Sequence, residues 1–265
     1  MRNGVNTDEP VLLYSGDHQV YWVGSEEASP FRCNAYLIVD GDVRVLFDPG
    51  STMHHFPQVK KRVASIIPPE SVTHIVLHHQ DPDVSDSLPE WVKINPEVTL
   101  VATPRARVLL PYFGFPHDVK WLDASPNDNT VLELPSGSVL GFITAPFLHF
   151  PEALTTFDEA SGFLLTGDIF AAIDPAWKLL VSDWETHWRS VVPFHVFYMA
   201  SNRALAGYID KVAPFPIKAI LPQHGSVIPE QHVRKALEAL RELPCGVDLL
   251  YPASNLESAI SALLK

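Results

Sequence analysis

Short apolar runs broken by turn residues open the chain. Residues 11–14 and 20–23 flank Ser15-Gly16-Asp17, and residues 34–39 and 43–47 flank Asp40-Gly41-Asp42. The pattern predicts two hairpins and an antiparallel start. Over residues 56–67 the apolar spacing turns helical, with Lys60, Lys61 and Arg62 on the polar side and Pro68-Pro69 as the stop. An apolar run over 73–78 reads as a strand, followed by a short strand at 98–102, a helix at 104–110 and turn-rich residues through Asn127-Asp128-Asn129. Strands near 130–134 and 139–145 flank Pro135-Ser136-Gly137, a further hairpin signal. Beyond Asp168 the spacing is helical over 184–192 and 194–212, interrupted by Pro193. Proline cannot donate inside a helix, so it is expected to bend or begin one. A strand at 217–221, a helix opened by Pro229 and running to 243, and a last helix over 256–264 capped by Asn255 complete the chain. Two β-rich halves, each followed by helices, predict an α+β fold of paired sheets with helices outside.

Composition narrows this picture. Apolar residues make up 46% of the 265 and are spread along the whole length, without a linker, repeat or low-complexity tract. One large core is the simpler expectation, with residues 1–265 as a single domain. A formal net charge of -12 argues against the basic surface that nucleic-acid binders need. The polar first ten residues lack a signal-peptide core, no stretch approaches the ~20 apolar residues of a membrane span, and two cysteines are too few for a disulfide framework. The expectation is a soluble cytoplasmic protein with neither nucleic acid nor membrane as partner.

Chemistry enters at the ends of the apolar runs. After Ile75-Val76-Leu77 comes His79-Gln80-Asp81-Pro82-Asp83, three metal-type ligands at alternate positions. In an extended or tightly turning segment these project to one side. Three later runs end alike: one at Gly167-Asp168, one at Pro222-Gln223-His224-Gly225, and one at Phe147-Leu148-His149. Turn residues taken singly are often acidic or histidine, but that does not explain four strand ends with one chemistry. Six ligands suit two ions, because both oxygens of Asp168 can bridge ions roughly 3.5–4 Å apart. The expected division is His79, Asp81, His149 and Asp168 on one ion, and Asp83, Asp168 and His224 on the other, one protein ligand short. Three carboxylates against two divalent ions leave a single positive charge, which a bridging hydroxide or oxo group offsets. Carboxylate-rich coordination favours iron or manganese over a typical zinc site.

The strand before His79, the residues His79-Gln80-Asp81-Pro82-Asp83, His149, Thr166-Gly167-Asp168 and His224-Gly225 resemble the metallo-β-lactamase superfamily over nearly the whole chain. The resemblance implies a four-layer αβ/βα sandwich with a dinuclear site between the sheets. Most hydrolases of that superfamily carry histidines at the positions of Asp81 and Val84, and valine cannot bind a metal. A carboxylate at Asp81, Tyr21-Trp22-Val23-Gly24, and Phe194-His195 followed by Tyr198-Met199-Ala200-Ser201-Asn202 resemble instead the flavodiiron branch, whose members reduce oxygen or nitric oxide with FMN from a flavodoxin module. No flavodoxin-like stretch and no Cys-x-x-Cys pair follow here, so FMN is not expected in this chain. The combination resembles the oxygen-binding diiron proteins. It implies two iron ions, with manganese or zinc as alternative occupants, molecular oxygen as ligand, and a signalling or electron-transfer protein as partner. The alternatives are an oxygen or nitric oxide reductase fed by an external donor, and a metal-dependent hydrolase. A homodimer is one option for the assembly.

Other residues carry blander expectations. Asp48 reads as a loop-fixing acceptor, His78 as structural, His54 and His55 as a solvated loop, and His195 as a core histidine rather than a partner of a ligand. His18, His74, His117, His187 and His232 have no motif support. Cys33 reads as a small buried hydrophobe, Lys60-Lys61-Arg62 as a solvated face, and Phe147 and Phe150 as core.

Overall fold

The central strand-forming runs alternate between two apolar faces, and this places the middle of both sheets in the interior. The computed structural model describes residues 7–24, 29–116, 118–124, 127 and 129–250; the expected helix at 256–264 lies outside them. The first sheet has the order β1 (Val11–Tyr14), β2 (His18–Trp22), β3 (Tyr36–Asp40), β4 (Val43–Phe47), β5 (His74–Val76), β6 (Thr99–Ala102) and β7 (Lys120–Asp123). Its first four strands are antiparallel and the last four run parallel. The second sheet has the order β13 (Ile228–Pro229), β12 (Ala219–Pro222), β11 (Phe163–Gly167), β10 (Ala153–Asp158), β9 (Val139–Ala145) and β8 (Val131–Glu133).

On β3, Tyr36 and Ile38 join Leu140 and Phe142 of β9 in an apolar layer between the sheets. Leu37 points the other way, toward α1 (Phe56–Ala64), α2 (Pro82–Ser85), α3 (Leu88–Ile94) and α4 (Pro104–Leu109). Ile143 and Ala145 likewise face α5 (Trp184–Tyr198), α6 (Asn202–Val212) and α7 (Glu230–Arg241). A short α8 (Val247–Leu250) ends the described chain. Strands buried on both faces read as nearly continuous apolar runs, and the result is the expected αβ/βα sandwich. Among the described residues no helix is long and apolar enough to cross a membrane.

Several expectations are corrected. Strand β10 is fully buried yet rich in threonine, and it carried no apolar run to announce it; Thr155 satisfies its hydroxyl on the Ile143 carbonyl. Helix α5 runs through Pro193. Burial of Trp184, Val191, Phe194 and His195 on its inner face outweighs the roughly 3 kcal/mol that an internal proline costs. The break falls instead at Ser201, whose side chain caps α6 by accepting from Ala204 N–H. Arg62 is not solvated: it is 5% exposed, lies 4.8 Å from the Trp22 ring and donates to the Gly24 carbonyl. His55 is buried too, its Nδ1 accepting from Ser51 N–H.

At the edge of the sandwich where β3 and β10 end, His18 clamps the sheets together. Its Nδ1 lies 2.9 Å from Asp40 of the first sheet and its Nε2 2.9 Å from Asp158 of the second. Burial alone would lower the His18 pKa, but the two carboxylates outweigh it and hold it above the usual histidine value. A raised native pKa means folding favours the protonated ring. That stabilisation is complete below the unfolded value of about 6.5 and fades as pH rises through the native value. Replacing His18 with Ala leaves two buried carboxylates without their cation. It is expected to lower unfolding free energy by about 3–5 kcal/mol at mildly acidic pH and by less at alkaline pH, as read by urea denaturation. A deficit that does not shrink as pH rises would contradict the charged clamp.

Candidate metal centre

The opposite edge of the sandwich collects the C-terminal ends of β5, β9, β11 and β12, and all six predicted ligands sit on them. His79 and Asp81 follow β5; Asp81 is the extended residue that enters α2, and Asp83 lies in the first turn of that helix. His149 lies in the turn between β9 and β10, Asp168 directly follows β11, and His224 lies two residues past β12. Hydrogen bonds fix these loops to one another. Leu154 N–H donates to the His78 carbonyl, and Gln223 N–H to that of Gly167, at 2.8 Å each.

Two glycines let the loops approach closely. Gly167 has φ +54° and a Cβ there would stand 2.8 Å from Cβ of His78; Gly225 has φ +90° and would put a Cβ 2.6 Å from that of Ala172. Each neighbours a predicted ligand, so side chains at these positions would displace Asp168 or His224.

Asp168 is the hub. Its Oδ2 lies 2.9 Å from His149 Nε2 and 3.5 Å from His79 Nε2, while its Oδ1 lies 3.6 Å from His224 Nε2. Asp81 Oδ2 closes the first group, 3.7 Å from His79 Nε2 and 3.6 Å from His149 Nε2. Asp83 Oδ2 closes the second, 3.0 Å from His224 Nε2. Burial pushes the Asp168 pKa up, but the imidazoles of His79, His149 and His224 outweigh it and hold the carboxyl well below its usual range. Asp83 is lowered in the same way: burial opposes ionisation, and the His224 and His79 imidazoles prevail. For His149 burial favours the neutral ring, but Asp168, Asp81 and Asp83 raise its pKa.

The donors have the chemistry to hold two cations. Nε2 of His79 and Oδ1 of Asp168 are buried and make no hydrogen bond, a state that is expensive unless a further partner such as a metal ion satisfies them. The donor atoms of His79, Asp81 and His149 lie within 4.8 Å of one another, and so do those of Cys33, Asp83 and His224.

The supporting residues divide into expected and missed. Asp48 accepts from His78 N–H at 3.0 Å and lies 2.5 Å from His78 Nδ1, and His78 Nε2 reaches Thr156 Oγ1 at 3.1 Å. His78 therefore ties both sheets behind His79, as its structural reading implied. His195 is fully buried; its Nδ1 bonds the Val191 carbonyl and its Nε2 accepts from Phe170 N–H, two residues beyond Asp168. Burial pushes its pKa down to about 4, so it is a neutral brace for the Asp168 loop. Phe147 is 54% exposed and not core. The rings against the imidazoles are instead Phe31, stacked 3.5 Å from His224, and Phe194 and Tyr198, 6.2 Å and 5.8 Å from His149. No local pattern marks Phe31 or Cys33, because what they meet is far along the chain.

The family described as ODP family beta lactamase matches residues 31–225. The chain belongs to that family. Solved structures agree with this ODP-family fold. One described as the peroxy diiron species of chemotaxis sensor ODP superposes with a TM-score of 0.80 and 31% identity, covering 91% of this chain and 97% of that one. The apo state of chemotaxis sensor ODP from T. denticola gives 0.78 at the same identity and coverage. Rubredoxin oxygen:oxidoreductase from Desulfovibrio gigas, 18% identical, shares the fold with a TM-score of 0.76 over 88% of this chain and 61% of that one. Among curated proteins, flavo-diiron protein FprA2 of Clostridium acetobutylicum is 31% identical over 51% of this chain, and the match spans 33% of its own length. The ODP-family chain thus spans about a third of the length of that relative.

If Asp168 bridges two ions, an iron-loaded Asp168→Ala protein is expected to keep neither. Metal analysis after desalting reads this directly, and two retained ions per chain would refute the bridge.

Proposed function

We propose that this protein is a non-haem diiron protein that binds molecular oxygen and reports its presence. His79, Asp81, His149 and Asp168 hold one iron; Asp83, Asp168 and His224 hold the other. The observation that carries this reading is Asp168, which turns one carboxylate oxygen to each of two imidazole–carboxylate groups. When bound, the iron pair supplies the reversible chemistry toward oxygen. Manganese would suit the same donors as well, and zinc less well, given three carboxylates among six ligands.

The chain's own residues shape the rest. Val84, where a hydrolase would present a further imidazole, is fully buried in the helix-side core of the first sheet. Asp81 is 35% exposed and is held by a 2.8 Å hydrogen bond from Gln80 Nε2 to its Oδ1. It and Asp83, 34% exposed, are the accessible carboxylates of the site and are placed to yield a position to an incoming ligand. Phe31, Phe194 and Tyr198 wall the imidazoles with apolar faces, which favours a neutral diatomic over water or a charged ester. A relative 31% identical over 91% of the chain is a chemotaxis sensor. By that likeness, a separate signalling protein receives the binding event, and a homodimer is a suitable assembly for passing it on.

A second reading, an oxygen or nitric oxide reductase fed by an external donor, is favoured by one feature. Tyr198 is 58% exposed, stacks on Phe194 at 4.5 Å and reaches His149, so aromatic rings run from the surface to the site. The two readings part in one experiment. Anaerobic, iron-loaded, reduced protein titrated with oxygen is expected to develop a visible absorption band that fades when oxygen is removed. Catalytic turnover with a reduced electron carrier would favour the reductase. Absence of any band, with hydrolysis of chromogenic esters, would overturn the oxygen-binding reading.

A further inference from the structure

The two halves of the site are unequal: His79, Asp81 and His149 share one side of Asp168, while Asp83 and His224 share the other. Cys33 sits where the shorter set falls short. It forms an isolated antiparallel bridge with His224, and residues opposite each other in such a pair project to the same side. The segment is fastened around it. Asn34 N–H donates to the Gln223 carbonyl at 2.6 Å, Asn34 Nδ2 donates to the Pro222 and Gly225 carbonyls at 2.9 and 2.8 Å, and Trp22 Nε1 donates to Asn34 Oδ1 at 2.8 Å. Cys33 is 6% exposed, and its Sγ lies 4.0 Å from Asp83 Oδ2 and 3.7 Å from His224 Nδ1.

We infer that Cys33 is the fourth protein donor of the second metal position, bound through its sulfur beside Asp83, His224 and Asp168. This rests on the two-ion reading above. Donors bound to one ion at roughly 2.0–2.3 Å stand about 3–4 Å apart, and the Sγ to Oδ2 spacing meets that. The independent sign of a ligand here is Oδ1 of Asp168, buried and without a hydrogen bond, beside a fully buried His224 Nε2 that meets only the carboxylates of Asp83 and Asp168. The other ring nitrogen of His224 has the Arg32 carbonyl at 3.3 Å, a better acceptor than sulfur, so holding that proton does not require the thiol. As the sulfur–metal bond forms, the S–H proton passes to water. The fourth anionic donor brings the site with two divalent ions to neutrality. The soft thiolate makes the second position the more thiophilic of the two.

Cobalt(II) reports this directly, because thiolate ligation produces a near-ultraviolet charge-transfer band and a sulfur shell at about 2.3 Å in X-ray absorption. Cys245 serves as the internal control: it is buried and pushed up to about 12, mainly by burial, and so stays a thiol. The full chain loaded with cobalt is expected to show the band, Cys245→Ser to keep it, and both Cys33→Ser and Cys33→Ala to lose it. Both Cys33 variants are also expected to bind cobalt at one of the two positions at least about tenfold more weakly. Two ions per chain and an intact oxygen response, without band or sulfur shell in the unsubstituted protein, would overturn the role of Cys33 and leave the diiron reading standing. A chain that binds no metal would overturn both.

Discussion

Everything at the functional edge of this protein depends on one buried carboxylate. Asp168 is 6% exposed, hidden where the two sheets meet, and it stays ionised because three imidazoles surround it. A lone charge in that position would be costly enough to reprotonate. The imidazoles in turn stand close together, without enough hydrogen-bond partners, because Asp168 draws them there. Carboxylate and imidazoles thus depend on one another, and a cation on each side of Asp168 would satisfy the nitrogens and oxygens that the protein alone leaves unpaired.

The sandwich is built to carry this arrangement. Three apolar layers hold two sheets and two sets of helices rigidly, while the polar groups are sorted to opposite edges. One edge has the His18 clamp between Asp40 and Asp158, which joins the sheets through charge. The other has His78, which joins them through Asp48 and Thr156 directly behind His79. Loops mounted on such a frame can hold donors at fixed spacing, whereas loops alone could not. Asp81 and Asp83, the exposed carboxylates beside the hub, are where the site meets solvent, and the rings of Phe194 and Tyr198 run from His149 to the surface of α5.

Much of this was legible from the chain alone. The four apolar runs that end in histidine or aspartate formed strands because a short apolar run between turn signals has few other stable fates. The hairpins of the first sheet formed for the same reason. What escaped was less local. Strand β10 carries Thr155 and Thr156 side by side, and their burial is possible because the Ile143 carbonyl of β9 accepts from the first and His78 Nε2 meets the second. Pro193 misled because propensity is a local term and the inner face of α5 gains more from packing than the proline loses. Arg62 looked solvated because its partners, Trp22 and the Gly24 carbonyl, are brought to it only by the folded geometry.

The sequence by itself determined that six metal-type side chains stand at strand ends, because strand propensity, turn residues and the identity of these side chains are all written within a few positions of each other. Only the tertiary structure decided which donors share a side of Asp168, that His195 braces the loop behind it, and that Cys33 faces His224 across 191 positions of chain. Those pairings are set by the way two sheets pack face to face, and no local pattern encodes a contact whose two halves are brought together by the whole core.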